Sequence, residues 1–306
     1  MAGADTTRRD FLFRMGGLAA VLSSPARLLA QERLPTRPIP GTAESLPIVG
    51  FGSTKAVLEI PTEGPEPVAE VIRQLMGMGG RVVDTSVRTP DIDSVFGRIL
   101  QEPDIREAIF LATKINTPDA QRGVEQMRQT QRLFDRRQVD LIQVESLRGI
   151  EHHWPRLQEW KASGATRYIG VTVSQNRNHG PLLDFLEDAS PDFVHVNYSL
   201  LEPGAEDRIL PMARQRGMAV LVNRPFMNGT WFGRVADRQL PAWAADFDCE
   251  TWAQFSLKYI LANPAVTCVL TETTNPLHME ENIRAGFGRM PTEAERRRMR
   301  DVAATL

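Results

Sequence analysis

Asp84, Lys114 and Glu145 each stand at or near the end of a short apolar run, in "RVVDTS", "IFLATKI" and "LIQVESL". Ionisable groups in such places need partners, and a lysine beside either carboxylate supplies one. Together they form a unit able to move protons or to hold a polar small molecule. Thr172 in "YIGVTV", His195 and Asn197 in "FVHVNYS", and Asn223 and Arg224 in "AVLVNRPF" sit in equivalent places. The plain alternative is an ion pair that only closes the interior of the fold, because strand-end pairs also serve structure. Two cysteines, Cys249 and Cys268, cannot make a disulfide framework and read as unpaired thiols. No close Cys/His cluster has zinc-ligand spacing, so no metal site is expected.

These runs belong to a longer series. "IVGFGS", "RVVDTS", "IFLATKI", "LIQVESL", "YIGVTV", "FVHVNYS", "AVLVNRPF" and "TCVLTET" are short and mostly β-branched or aliphatic, as buried strands are. Helical patterns lie between them. In "PEPVAEVIRQLMGMGG", Val68, Val71, Ile72 and Leu75 share one face and a glycine pair ends the element. "TPDAQRGVEQMRQTQRLFDRR", "WPRLQEWKASG", "HGPLLDFLED", "EDRILPMARQRG", "ETWAQFSLKYILANP" and "PLHMEENIRAG" read likewise, several stopping at Gly or Asn-Pro. Eight strand-then-helix units in about 250 residues predict an α/β fold, a single-domain (β/α)8 TIM barrel over 46–306, with its site at the C-terminal ends of the strands. An open doubly wound sheet is disfavoured, since no G-x-G-x-x-G follows any strand.

The chain has 306 residues, 42% hydrophobic and 24% charged, with a formal charge of −2 and a pI near 6.3. That balance suits an ordinary globular protein and gives no electrostatic reason to expect a nucleic-acid or anionic-membrane partner. The arginine-rich "EAERRRMRD" near the C-terminus reads as a solvated helix face. At the N-terminus, "TTRRDFLFRMGGLAAVLSSPARLLA" pairs Arg8 with Arg9 ahead of a mildly apolar stretch, the layout of a bacterial twin-arginine export signal over 1–30. Its apolar part is too short, and too interrupted by Arg14 and Arg27, for stable membrane insertion. The implied partner is the twin-arginine export machinery, which carries folded proteins, and the implied location is the periplasm. "QERLPTRPIPGTAESLP", with four prolines, reads as an extended arm over 31–45 leading into the barrel. A monomer is the expected state.

Several stretches, in order, resemble the strand and loop motifs of the aldo/keto reductases: "GFGS", "DTS" with Gly97 thirteen residues after Asp84, "LATK", "DLIQVESL", "RYIGVT", "VNYSLLEP", "RPFMNG" and "NPAVTCVLTETTNPLHMEENI". The resemblance implies a (β/α)8 barrel that binds NADP(H) or NAD(H) in extended form without a Rossmann motif. It also implies a tetrad in which tyrosine donates a proton, lysine lowers its pKa, aspartate pairs the lysine and histidine orients the substrate. Asp84 and Lys114 match. The tyrosine position, five residues after the aspartate, is Thr89, and the histidine position is Glu145. A threonine hydroxyl is far less acidic than a phenol, and no tyrosine occurs between Lys55 and Ala165. Glutamate at the histidine position is similar to family members that reduce carbon–carbon double bonds conjugated to a ketone, where a protonated carboxyl donates a hydrogen bond.

The catalytic candidates are therefore Asp84, Lys114, Glu145 and Thr89. The resemblance places the cofactor along Gly52, Thr172, His195, Asn223, Pro225, Phe226, Gly229, Thr271, Thr273, Glu281 and Asn282. Of these, Pro225, Phe226 and Gly229 resemble the loop along the pyrophosphate, and Glu281 and Asn282 the pair that holds the adenine. Other positions depart from the family: Asn223 replaces an aromatic that stacks under the nicotinamide, and Val173 an asparagine that binds its carboxamide. Basic residues that grip a 2′-phosphate fall at Glu272 and His278. A carboxylate there repels a phosphate and accepts hydrogen bonds from a free ribose, which favours NAD(H). Three readings stay open, all with a small-molecule ligand: a divergent NAD(P)-dependent oxidoreductase acting on a carbonyl or enone, an exported lyase, isomerase or hydrolase using Asp84, Lys114 and Glu145, and a non-catalytic binding barrel. Replacing Arg8 and Arg9 with lysine is expected to leave full-length protein inside the cell, and unchanged fractionation would remove the export assignment.

Overall fold

A computed structural model describes residues 33–306. The export-signal segment lies outside the described residues. Strands β1 (Thr36–Pro38) and β2 (Ser45–Pro47) pair antiparallel. They are followed by β3 (Val49–Gly52), β4 (Val82–Asp84), β5 (Phe110–Ile115), β6 (Val139–Glu145), β7 (Thr166–Thr172), β8 (Phe193–Asn197), β9 (Ala219–Asn223) and β10 (Cys268–Thr271). These eight close into a barrel in the order β10-β3-β4-β5-β6-β7-β8-β9, every adjacent pair parallel. The (β/α)8 barrel expected from the sequence is the observed fold, and its strands fall on the eight apolar runs.

Period-two alternation explains how one strand builds both core and site. At the N-terminal end of the barrel, Val82, Phe110, Leu141, Tyr168, Phe193, Ala219 and Cys268 form one buried cluster. Continuing along the same faces in steps of two reaches Asp84, Lys114, Gln143, Glu145, Thr172, His195, Asn223 and Glu272. Each of these seven strands thus begins oily and runs into polar residues on its inner face. A second, larger apolar layer, including Val71, Ile72, Leu75, Phe96, Leu157 and Leu186, lies between the strands and the surrounding helices.

The segment expected as an extended arm differs. Part of it folds as the β1–β2 hairpin, and Ile39 and Leu46 plug the N-terminal end of the barrel cluster. Arg37 ties it down by donating to the carbonyls of Leu261, Val266 and, at 3.0 Å, Asn263. A two-stranded edge tolerates Pro38 and Pro47, whose missing N–H groups a central strand could not spare.

One other expectation needs correction. The arginine-rich helix Glu293–Ala304 is not wholly solvated, because Arg296 is 5% exposed. Its guanidinium donates to Glu206, to the Tyr198 hydroxyl at 2.7 Å and to the Tyr259 carbonyl at 3.2 Å, which ties this helix to the barrel. The stretch after Asp84, which the sequence analysis leaves without an element, carries a helix. From Pro90 to Gln101 it is a helix with proline at its first turn, Asp91 and Asp93 near its N-terminus, and Phe96, Ile99 and Leu100 buried.

That helix explains the spacing to Gly97. A Cβ at this position would lie 2.5 Å from the carbonyl oxygen of Leu133, on the neighbouring helix Ala120–Leu133. The contact is with backbone, so it cannot be relieved by turning a side chain. Gly97→Ala should lower stability by about 1–3 kcal/mol, the usual cost of overpacking, read as a lower denaturant midpoint.

Candidate active site

The C-terminal mouth of the barrel holds a cavity of about 630 Å³ lined by residues from nearly every strand end and from the loops after β3, β9 and β10. Its floor is organised by Asp84. Lys114 Nζ donates to Asp84 Oδ2 and, at 3.0 Å, to the Thr85 carbonyl. Gln143 Nε2 donates to Asp84 Oδ1 at 3.2 Å. The aspartate is 3% exposed and the lysine 8%, so each charge is offset chiefly by the other.

His195 completes this group. Its Nδ1 stands 3.9 Å from Asp84 Oδ1, too far for a full hydrogen bond, and neither ring nitrogen has a partner. Burial pushes the imidazole down to about 4, against the pull of Asp84 and with the push of Lys114, so the ring is neutral at neutral pH.

Of the catalytic candidates, Asp84, Lys114 and Glu145 line the cavity, Glu145 half-buried. Thr89 does not belong with them. It is exposed at the N-cap of Pro90–Gln101, with extended backbone and no capping hydrogen bond from its side chain. The preceding Arg88 turns inward instead, donating to Ser53 Oγ at 3.2 Å, Thr85 Oγ1 at 3.1 Å and the Ser86 carbonyl at 2.9 Å. Its backbone N–H is held by Asp93 Oδ2 at 2.8 Å.

Among the proposed cofactor contacts, Gly52, Thr172, His195, Asn223, Pro225, Phe226, Gly229 and Thr273 line the same cavity. Thr271, Glu281 and Asn282 do not. Thr271 is an odd step from Leu270 and Glu272, and its hydroxyl faces Gly50 and Met279 at 3.4 and 3.9 Å. Glu281 and Asn282 sit on the helix Pro276–Arg284 beyond the cavity wall. Asn197 is occupied above the barrel, where Nδ2 donates to Asn176 Oδ1 at 2.6 Å and to Glu202 Oε2 at 3.2 Å.

Gln143 and Arg88 are functional-site neighbours that the sequence reading misses. The polar Gln143 inside an otherwise apolar strand is the signal that could have found the first. Nothing local marks Arg88.

The three tyrosines are equally informative. Tyr168 belongs to the cluster at the opposite end of the barrel and donates to Glu44 at 2.9 Å. Tyr198 and Tyr259 both donate to Glu206, and burial pushes both phenols up, Tyr259 to about 12. No phenol reaches the cavity.

Comparison with known proteins follows this geometry. The aldo/keto reductase family model matches residues 51–297. The chain belongs to the aldo/keto reductase family. A curated relative, the NADH-specific methylglyoxal reductase of Escherichia coli (strain K12), is 24% identical over 176 residues, 49% of this chain. The match spans about half of that relative, 52% of its length. The holo form of an aldo-keto reductase from Bacillus halodurans superimposes with a TM-score of 0.70 at 18% identity, covering 88% of this chain and 96% of its own. A putative aldo-keto reductase from Pseudomonas aeruginosa gives a TM-score of 0.65 at 17% identity, covering 84% and 96%.

At the end of β9 the adjacent residues Asn223 and Arg224 line the cavity, Asn223 donating to the Val173 carbonyl at 3.0 Å and Arg224 to the Ser174 carbonyl at 2.6 Å, while Asn223 Oδ1 and Arg224 Nε are buried without partners. The loop they begin has left-handed backbone at Arg224, Met227, Asn228 and Gly229, a concentration of unusual conformations that fits a ligand-binding role. Among the described residues no group of His, Cys, Asp and Glu could hold a metal ion, and both cysteines are buried and free.

Removing the lysine alone leaves a buried carboxylate unpaired. Lys114→Met should therefore cost about 3–5 kcal/mol of stability, and Asp84→Asn combined with Lys114→Met should recover part of it, as read by denaturant midpoints in a double-mutant cycle.

Proposed function

We propose that this aldo/keto reductase is an NAD(H)-dependent enzyme that interconverts a small polar carbonyl compound and its alcohol in the periplasm. The observation that carries the cofactor choice is the placement of Glu272. Its Oε1 accepts from the backbone N–H of Lys55, and from that of Ala56 at 3.3 Å, fixing a carboxylate on the cavity wall where the family resemblance expects a basic grip on a 2′-phosphate. Burial pushes this carboxyl up while the two amides and the cations Lys55 and Arg88 pull it back. A carboxylate held there disfavours a phosphorylated ribose and suits a free hydroxyl. The Escherichia coli relative is NADH-specific by name, which supports the same choice.

Arg224 and the loop Pro225–Gly229 would hold the pyrophosphate, and Asn223 with Thr172 the nicotinamide end. The dinucleotide, when bound, supplies or accepts the hydride. The chain's own residues orient the substrate oxygen above the Asp84–Lys114 pair.

The substrate class follows from the lining. Ser86, Glu145, Ser146, Ser174 and Gln175 face the cavity, and its aromatic members are only Phe226 and Phe232. Such a wall favours hydroxylated or dicarbonyl compounds over large apolar ones. Glu145 also supports an enone as a second reading, through a hydrogen bond from its protonated form to a conjugated ketone. The periplasmic location rests on the Arg8–Arg9 pattern, and export of a folded chain lets the dinucleotide be loaded before transport.

Fluorescence titration of the purified protein tests the cofactor assignment. NADH should bind about tenfold or more tightly than NADPH, and Glu272→Gln should narrow that ratio. Tighter binding of NADPH by the wild type would contradict it.

A further inference from the structure

We propose that Glu145 is the specificity-determining residue of this site, and that it selects substrates carrying a protonated amine a few bonds from the reacting carbonyl or carbinol carbon. This inference rests on the oxidoreductase reading above and names the substrate class of the same cavity.

Four carboxylates line the cavity: Glu59, Asp84, Glu145 and Glu272. Protein donors engage three of them. Asp84 accepts from Lys114 and Gln143, Glu272 from the Lys55 and Ala56 amides, and Glu59 from the Thr274 hydroxyl at 2.9 Å. Glu145 is half-buried, and among the described residues none donates to its carboxylate.

The cations around the cavity are committed elsewhere. Arg88 is near enough to feel the charge of Glu145, yet its Nη1 is bonded to Thr85 Oγ1 and the Ser86 carbonyl, and its Nη2 to the Ser53 carbonyl at 3.0 Å and hydroxyl at 3.2 Å. Lys114 is bonded to Asp84, and Arg224 donates to the Ser174 carbonyl at 2.6 Å. Arg148, three residues along the same loop, donates instead to the Asn116 carbonyl at 3.3 Å. Lys55 sits beside Glu272 on the opposite wall, since β10 is four strands from β6 around the barrel.

The fold aims the open carboxylate inward. In steps of two along β6, Leu141 joins the apolar cluster, Gln143 donates to Asp84, and Glu145 comes next, at the mouth. The turn behind it is pinned: Ser146 N–H donates to the Thr172 carbonyl at 2.7 Å, and Arg148 N–H to the Glu145 carbonyl at 3.1 Å. Lys114 is level with Gln143, so Glu145 stands about 7 Å further up the wall, two residues of strand rise. A short amino carbonyl compound spans that interval, with its oxygen over the Asp84–Lys114 pair and its ammonium on Glu145.

A half-buried carboxylate gives up part of its hydration, and an ammonium in hydrogen-bond contact replaces it with a charge-assisted pair. A neutral hydroxyl there makes a weaker bond, and a substrate carboxylate is repelled. The amine takes no part in the chemistry. In reduction the carbonyl carbon gains the hydride of NADH, the C=O π bond opens, and the oxygen takes a proton from solvent, which leaves the amino alcohol and NAD+.

Three ketones of similar size test this at neutral pH. Aminoacetone, hydroxyacetone and pyruvate carry a cation, a neutral hydroxyl and an anion beside the same carbonyl. With NADH, kcat/KM for aminoacetone should exceed that for hydroxyacetone about tenfold or more, with pyruvate the poorest. Glu145→Gln, which keeps the shape and removes the charge, should bring the first two within about twofold of each other. Equal or better use of hydroxyacetone by the wild type would overturn the proposal, as would a ratio unchanged in the variant.

Calorimetry gives a readout independent of turnover. Ethanolamine should bind the wild-type protein about tenfold or more tightly than ethylene glycol, with and without NAD+, and Glu145→Gln should remove the difference. Ethanolamine binding no tighter than that of the diol, or a difference that survives in the variant, sinks the assignment. If none of the ketones is reduced, the oxidoreductase reading fails, and this binding ratio still decides the role of Glu145.

Discussion

The buried pair between Lys114 and Asp84 is the constraint on which the site depends. Two opposite charges on β4 and β5 cannot leave one another without stranding a charge in a low-dielectric interior. Gln143 from β6 and the Thr85 carbonyl fix the pair from the sides, and His195 from β8 faces it from across the barrel. Four strands are thereby brought to one spot, and the polar floor of the cavity is the consequence. The apolar cluster beneath it keeps water from the other end, with the hairpin residues Ile39 and Leu46 as its plug.

A second consequence concerns how a family scaffold tolerates loss of its usual donor. The turn after Asp84 keeps its backbone because Gly97 admits the carbonyl of Leu133 and because Arg88, Asp93, Ser53 and Thr85 knit the loop together. None of those contacts involves the side chain at 89. The backbone at 89 still serves the turn, as the N-cap whose carbonyl accepts from the Asp93 N–H at 3.0 Å, while its side chain makes no capping hydrogen bond. At the other wall, Glu272 is held in place by accepting from the Lys55 and Ala56 amides.

Much of this is legible in the sequence, for identifiable reasons. Parallel strands buried on both faces are continuous apolar runs, so all eight barrel strands stand out. Asp84, Lys114 and Glu145 are recognisable because each is a charge at the end of such a run. The helix Pro90–Gln101 is less visible, since its polar first turn and Gly97 break the apolar pattern. Gln143 and Arg88 gain their roles only from neighbours on other strands and loops. Arg296 looks like any surface arginine until Glu206, Tyr198 and Tyr259 are folded beside it. The unpartnered ring of His195 is a property of the whole floor, set by what its neighbours on other strands fail to offer it.

The central claim is that hydride chemistry takes place over the Asp84–Lys114 pair in a cavity without a phenol. The most direct measurement is transfer of deuterium from NADH labelled at the reactive carbon of its nicotinamide ring to glyceraldehyde or methylglyoxal, followed by mass spectrometry of the product. One deuterium on the new carbinol carbon is the predicted result. Full occupancy by NADH with no label in any product would contradict the account.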